Sequence, residues 1–383
     1  MPWKEVTPVS ERLSMCKLAN EGRYSISKLA RDFGVSRKTV YKWLDRYHRE
    51  GAEGVFDKSR RPISSPTSVS ADVTDAVVKL RKDYPDWGPR KLRKLLVDGE
   101  GDLSCSRSTV ERILARRGLT EVVERSPVQE ALGRFERAEP NELWQIDFKS
   151  PFPLSSGAKI WPVPVLDDRG RFVVALLAAP ACSARYALES FRCAATRYGM
   201  PGQILSDHGS PFGTSRSYLS QFTAYVWACG AEHIQGRYAH PQTQGKLERF
   251  NSTLWRECIR RHNYESIEDW NKCFEEYRHI YNNIRPHESL CDATPASLYR
   301  ASTRAFLEPD RNHQEPGEDL THRKVGRDGK IWILQHHVKV SSGLAGWTVS
   351  ARHDGGGIWT ILFRGRSVCQ VSLAKPAPYK PKP

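Results

Sequence analysis

Three carboxylates of this 383-residue chain stand where a carboxylate needs a reason. Asp147 falls within LWQIDFKSPF, an alternating run that places it mid-strand. Trp144, Ile146 and Phe148 share one face of that strand; Gln145, Asp147 and Lys149 share the other. Aspartate is a poor strand former, and metal binding is one reason to find it there. Asp207 ends GQILSD, a short buried strand, and strand C-termini are where open α/β sheets put their ligand sites. Glu248 comes early in a long helix expected from about residue 243, through QGKLERFNSTLWRE. Leu247, Asn251, Leu254 and Cys258 line one face of that helix, and Glu248 opens an adjoining stripe with Ser252 and Trp255. Any one acid alone reads as structural. Three brought together from separate elements repel one another unless cations intervene. Hard oxygen ligands select magnesium, with manganese as the alternative. Two such ions can clamp the attacking and leaving oxygens of an in-line displacement.

Other acids compete for these roles. Asp167 and Asp168 fall in a hairpin turn, where aspartate is common for backbone reasons. Glu257 comes nine residues after Glu248, on the opposite side of the helix. All three are set aside.

The elements that must position the acids follow from the patterning. KIWPVPVLDD and RFVVALLAAP read as two strands joined through DDRGR. A helix over 182–198, the strand ending at Asp207, a helix near 217–229 and a strand at AEHIQGR come next. Three strands followed by alternating helix and strand predict a mixed α/β sheet.

The N-terminal segment reads as a helix-turn-helix. Ile26, Leu29, Ala30 and Phe33 mark one amphipathic helix; Val40, Trp43, Leu44 and Tyr47 mark the next. Gly34 fits a left-handed helix end and Ser36 a cap. Arg37, Lys38, Tyr41 and Lys42 then face outward near the start of the second helix, where this motif meets DNA. A second, less sharply marked unit follows. Ser70 caps a helix with Val73, Ala76, Val77 and Leu80 inward, and WGPRKLRKLL continues it, with Arg90 and Lys91 mostly outward. A third helix carries Val110, Ile113 and Leu114 and ends before Gly118. Ser108 and Glu111 have capping-box spacing there, with Ser106 as a rival cap, and Arg107 and Arg112 stay exposed. Between the units, KSRRPISSPTS reads as a linker whose Arg60 and Arg61 can lie in a minor groove. His240, Gln242, Gln244 and Lys246, with Arg249 just beyond, are expected at a loop and helix start facing DNA, since the positive end of a helix favours phosphate.

Composition agrees with a polyanion partner. The net charge is +15, and residues 1–125 hold 26 Lys and Arg against 18 Asp and Glu. There is no apolar run of 18 residues and no signal region, which predicts a soluble, intracellular protein without a membrane partner. Nine scattered cysteines with no C-x-x-C pair argue against a zinc finger and read as buried small hydrophobes. After a polar stretch, GRDGKIWIL, HHVKV, GWTVSARH, GIWTILFRG and SVCQVSL suggest a separate five-stranded barrel. Lys339, Arg352, Arg364 and Arg366 are its exposed cations, and an extended basic tail follows.

NELWQIDF, VLDDRGRF, ILSDHGSPF, HPQTQGKLERFNSTLWRE and YNNIRPHESL…TPASLY resemble, in family order, the integrase core of bacterial insertion-sequence transposases. With the helix-turn-helix units the resemblance spans about residues 1–300. It implies a ribonuclease-H-like catalytic core shared with retroviral integrases. It also implies an SH3-like C-terminal barrel, and Asp147, Asp207 and Glu248 as the metal-binding catalytic acids. Members of the family cleave DNA at element ends and join the 3′ hydroxyl to target DNA without a covalent protein–DNA intermediate. Two departures stand out. Forty residues separate Asp207 from Glu248, more than is usual, and GSPFGTSRSYLS can absorb the excess as a loop. His208 stands where asparagine is usual, and a histidine there can still donate a hydrogen bond.

The expected organisation is a helix-turn-helix domain over 1–53, a linker over 54–69 and a second such domain over 70–120. A linker over 121–141, the catalytic core over 142–300, a linker over 301–321, the barrel over 322–375 and the tail over 376–383 complete it. The expected partners are double-stranded DNA (inverted element ends and target) and further copies of the chain, as a homodimer or higher multimer on DNA. A DNA-binding regulator with an inert core, or a nuclease that cannot join strands, are the alternatives.

Overall fold

The first helices form because a hydroxyl caps each one. In this computed structural model, which describes residues 7–59, 69–99, 103–120, 136–213, 219–236 and 245–373, α1 (Pro8–Asn20) opens on a reciprocal Thr7–Ser10 capping box. Ser25 caps α2 (Ile26–Asp32) and Ser36 caps α3 (Arg37–Glu50). Gly34, at φ +64°, makes the turn between α2 and α3. Met15, Cys16, Ala30, Val40, Trp43, Leu44 and Val55 form their common core. Arg60 and Arg61 lie outside the described residues, as do His240, Gln242 and Gln244. The chain divides into two units, residues 1–68 and 69–383.

The second unit begins with three helices. α4 (Ala71–Asp83) is capped by Ser70. The helix expected to run on through WGPRKLRKLL stops, and α5 (Pro89–Asp98) starts afresh after Gly88. Pro89 is the reason: it suits a first helical turn but would break an interior. α6 (Arg107–Arg116) is capped by Ser106, not by Ser108. Glu111, free of a capping role, pairs with Arg107 at 2.8 Å. Val77, Trp87, Leu92, Leu96, Val110 and Leu114 fill the centre of this bundle, and Ile280 and Ile284 from the later chain pack against it.

The central sheet is mixed. β1 (Leu143–Ile146), β2 (Phe152–Pro153), β3 (Lys159–Asp167) and β4 (Val173–Ala179) pair antiparallel around β3. β5 (Gln203–Ser206) and β6 (Glu232–Gln235) add to β1 in parallel. α7 (Ala184–Tyr198) and α8 (Gln221–Ala228) bury Phe191 and Phe222 in one apolar cluster with Trp144 and Ile146. A second cluster joins Ile160, Leu166 and Val173 to Leu247, Phe250 and Leu254 of α9 (Gly245–Glu257) and to Trp270 and Phe274 of α10 (Ile267–His279). The sheet is therefore covered on both faces, which is why its strands read as apolar runs. The short α11 (Pro295–Leu298) follows. No helix among the described residues is long and apolar enough to cross a membrane.

The C-terminal region departs from expectation twice. β7 (Leu320–Lys324) starts in the last two residues of the stretch expected to be a linker and runs into the region expected to be the barrel. It forms an open sheet, in the order β12-β11-β10-β7, with β10 (Thr348–Gly355), β11 (Ile358–Phe363) and β12 (Arg366–Ser372). β8 (Lys330–Ile333) and β9 (His336–Lys339) pair only with each other among the described strands. A barrel closes only if its edge strands meet, and β7 and β12 remain the two edges of this sheet. Nor is the region separate. Trp347, Val349, Ile361 and Phe363 belong to the same apolar cluster as Phe191 and Tyr225, and Ser341 Oγ donates to the Leu219 carbonyl at 2.7 Å. The preceding stretch is also fastened, since Arg304 donates to the carbonyls of Pro201 and Gly230.

Candidate active site

Parallel pairing brings two of the three acids level. Trp144 faces Ile204 and Gln145 faces Leu205 across β1 and β5. Two residues on, Asp147 and Asp207 each follow the last residue of their strand. Asp147 is thus at a strand end rather than mid-strand as expected. Its Oδ1 accepts the Phe148 N–H at 2.7 Å. Asp207 Oδ1 accepts the Gly209 N–H at 2.9 Å, and a Cβ on Gly209 would lie 2.9 Å from that same oxygen. A side chain at position 209 would crowd the carboxylate and force it to turn.

Glu248 occupies the exposed side of the first turn of α9, whose other side is anchored by Leu247 and Phe250. The electrostatics tie the three together. Burial pushes the Asp147 carboxyl up to about 7, and the charges of Asp207 and then Glu248 push in the same direction, against the Phe148 hydrogen bond. A half-buried carboxylate beside two others is costly without a counter-charge. Oxygen donors of this kind fit a hard divalent cation.

The neighbourhood also holds Cys182, Ser206, Thr223 and His233, which the sequence patterns did not single out. Cys182 feels the charges of Asp207 and Asp147, and its thiol is pushed up by burial and by both of them. Lys149 sets its ammonium 5.3 Å from the ring centre of the exposed Trp255, linking the segment after β1 to α9. His208 turns its ring to the Gly236 carbonyl. Behind Asp207, the Ser206 hydroxyl meets both the Asp207 carbonyl at 2.9 Å and His233 Nε2 at 2.8 Å. His233 Nδ1 meets Thr223 Oγ1 at 2.8 Å. Burial lowers His233 to about 4, so its ring is neutral.

The rejected acids have other work. Asp167 and Asp168 are fully buried. Asp167 accepts the N–H groups of Asn141 and Gly170. Asp168 holds Lys246 at 2.7 Å and the Gln145 amide at 2.7 Å. Lys246, expected at a helix start facing DNA, makes an internal ion pair with Asp168; Arg249 is exposed. Glu257 takes a bidentate bond from Arg285, with 4% and 8% of the two side chains exposed. It also accepts Trp87 Nε1 at 3.2 Å and lies 3.6 Å from Lys91. Arg90 pairs with Glu288 and Asp292. Arg90 and Lys91 thus bind the α4–α6 bundle to acids of the core. The amphipathic pattern showed that they face outward, but the partner there is protein.

Arg37, Lys38, Tyr41 and Lys42 are all exposed on the first turns of α3. Arg107 and Arg112 are exposed on α6, with bonds only within that helix. In the C-terminal region Arg352 pairs with Asp354, and Arg366 lies 4.8 Å from the Trp227 ring.

A helix-turn-helix domain model matches residues 11–63 and a homeodomain-like domain model residues 39–114. Integrase core domain models match residues 137–241 and 230–295. The insertion element IS476 uncharacterized 39.2 kDa protein of Xanthomonas euvesicatoria is 27% identical over 254 residues, covering 66% of this chain and 71% of its own. "Putative transposase y4bF" of Sinorhizobium fredii is 25% identical over 375 residues, covering 94% of this chain and 79% of its own. Among solved structures, the HTLV-2 integrase catalytic core domain in complex with magnesium is similar over 42% of this chain and 97% of its own, at 15% identity and a TM-score of 0.33.

Proposed function

We propose that this chain, which has an integrase-type core and helix-turn-helix domains of the insertion-sequence transposase kind, is a DNA transposase acting through Asp147, Asp207 and Glu248. In this reading the core is ribonuclease-H-like, and the three carboxylates hold two magnesium ions. The carrying observation is that parallel pairing of β1 and β5 sets Asp147 and Asp207 level at adjacent strand ends; burial and then the charges of Asp207 and Glu248 raise the Asp147 carboxyl there. When bound, the ions supply Lewis-acid activation of the attacking oxygen and stabilise the leaving one. The protein holds the acids at two parallel strand ends and one helix start, so little reorganisation is needed as charge develops.

End recognition falls to the exposed cations of α3, with Arg37, Lys38 and Lys42 as contacts. Arg107 and Arg112 of α6 serve as further contacts, and Arg249 lies one residue beyond Glu248, where a phosphate at the reacting strand would come. Two element ends meet one target, which two protomers accomplish more simply than one, so the working form is a multimer on DNA. Domain limits follow the reading above, except that residues 69–120 and the open C-terminal sheet act with the core.

The test is incubation of the full chain with labelled DNA carrying the element's ends, target DNA and magnesium. Joined products support transposition. Cleavage without joining supports a nuclease, and binding alone a regulator.

A further inference from the structure

Where α9 ends, a second group of potential ligands lies away from the three acids. Cys258 follows the last residue of α9, and Cys273 is on α10; both are buried, at 1% and 5% exposure. Their sulfurs are 3.6 Å apart. His262 completes the group: one ligand atom from each of the three residues lies within 4.8 Å of the others. His262 is exposed, so the group opens to solvent on that side.

We propose that Cys258, His262 and Cys273 form a structural site for a thiophilic divalent cation, zinc by preference. Two thiolates bound at about 2.3 Å in a tetrahedron have sulfurs about 3.8 Å apart. The observed 3.6 Å is close to that, whereas a disulfide requires about 2.05 Å. The histidine is prepared in the manner of a metal ligand. Nδ1 lies 3.0 Å from the Cys258 carbonyl, which takes its proton and leaves Nε2 with the lone pair. The ring stacks on Tyr264, with centroids 5.5 Å apart and planes 11° apart. Glu276, one turn beyond Cys273, adds negative charge beside both thiols. Arg261, also near Cys258, is itself ion-paired with Asp86. The fourth position goes to water or Glu276. Binding expels one proton from each thiol and leaves the imidazole neutral. The ion would pin the end of the helix that begins beside Glu248 onto α10. The spacing is C-x3-H with a distant third ligand, outside the usual zinc-finger patterns, which is why the sequence argued against zinc.

The experiment titrates cobalt into reduced, metal-stripped full-length protein with excess magnesium present to occupy oxygen-ligand sites. About one cobalt per chain should bind in tetrahedral geometry, with a thiolate-to-cobalt charge-transfer band, and zinc should displace it. Cys258→Ser and Cys273→Ser should each abolish the band, and Cys193→Ser should retain it. His262→Asn, at an exposed position, should fold and weaken binding at least about tenfold. Circular dichroism checks folding of each variant. No band in the folded reduced protein, a band that survives Cys258→Ser, or unchanged affinity in His262→Asn would overturn the proposal. So would a Cys258–Cys273 disulfide found by peptide mapping of the protein as purified.

Discussion

His233 presents Nε2 to Ser206 Oγ at 2.8 Å, one residue before Asp207. The same hydroxyl donates to the Asp207 carbonyl at 2.9 Å. Thr223 holds the other ring nitrogen, so β5, β6 and α8 are joined by hydrogen bonds directly behind a candidate metal ligand. This makes His233 a positioning residue that needs its neutral form.

Its titration has a definite sign. The folded value, about 4, is below the ordinary 6.5, so the unfolded chain binds more protons between the two. The contribution is full above about 6.5 and is lost as pH falls through about 4. Wild-type protein should therefore lose stability over that window more steeply than His233→Gln, measured by urea unfolding. Equal pH dependence in the two proteins would remove the histidine from this role.

The acids themselves should separate binding from chemistry. Asp147→Asn, Asp207→Asn and Glu248→Gln should each bind element ends nearly as wild type while losing at least about 10²–10³ in rate. Glu189→Gln, an exposed acid on α7, is the control and should stay active. Normal joining by Glu248→Gln would show that the third acid is misassigned.

Metal binding should compete with a proton on Asp147. Its carboxyl, held up at about 7 in the metal-free protein, must ionise to ligate. Apparent manganese affinity should fall by about tenfold per pH unit below 7 and level off above it. Calorimetric titration reads this directly. A flat affinity between pH 5 and pH 7 would contradict the raised carboxyl.

Glu257 and Arg285 form a buried pair that also receives Trp87 and Lys91. Glu257→Leu leaves a guanidinium without its counter-charge and should cost about 3 kcal/mol or more by denaturant unfolding. Asp45→Ala, which breaks an exposed pair with Arg49 on α3, should cost under about 1 kcal/mol. Equal losses would mean the pair does not secure α5 to the core.

Truncation should respect the same contacts. Removing residues 1–68 takes away one whole unit and should abolish end-specific binding while residues 69–383 stay folded. Removing residues 1–120 also strips the helices that cover Ile280, Ile284 and Glu257, and should lower stability or solubility. Undiminished end specificity after the shorter deletion would refute the assignment of Arg37, Lys38 and Lys42.

Local chemistry was legible in the sequence because it repeats over a few residues. Ser36 and Ser70 cap the helices that their positions announce, and Gly34 makes the turn that needs a positive φ. The order of strands and helices across the core follows from apolar runs, since a sheet covered on both faces demands them. Asp147, Asp207 and Glu248 could be singled out by type and place along the chain. Tertiary structure decided what each charge meets. Arg90 and Lys91 look like solvated cations on an amphipathic helix, yet their partners lie more than 160 residues further on. Lys246 looks like a helix-start phosphate ligand, yet Asp168 takes it. Cys258 and Cys273 look like separate small hydrophobes until α9 and α10 bring their sulfurs together. Periodicity records which face of an element turns inward. The partner it meets there depends on how distant segments pack, because side-chain electrostatics and metal ligation act over a few ångströms of space rather than along the chain.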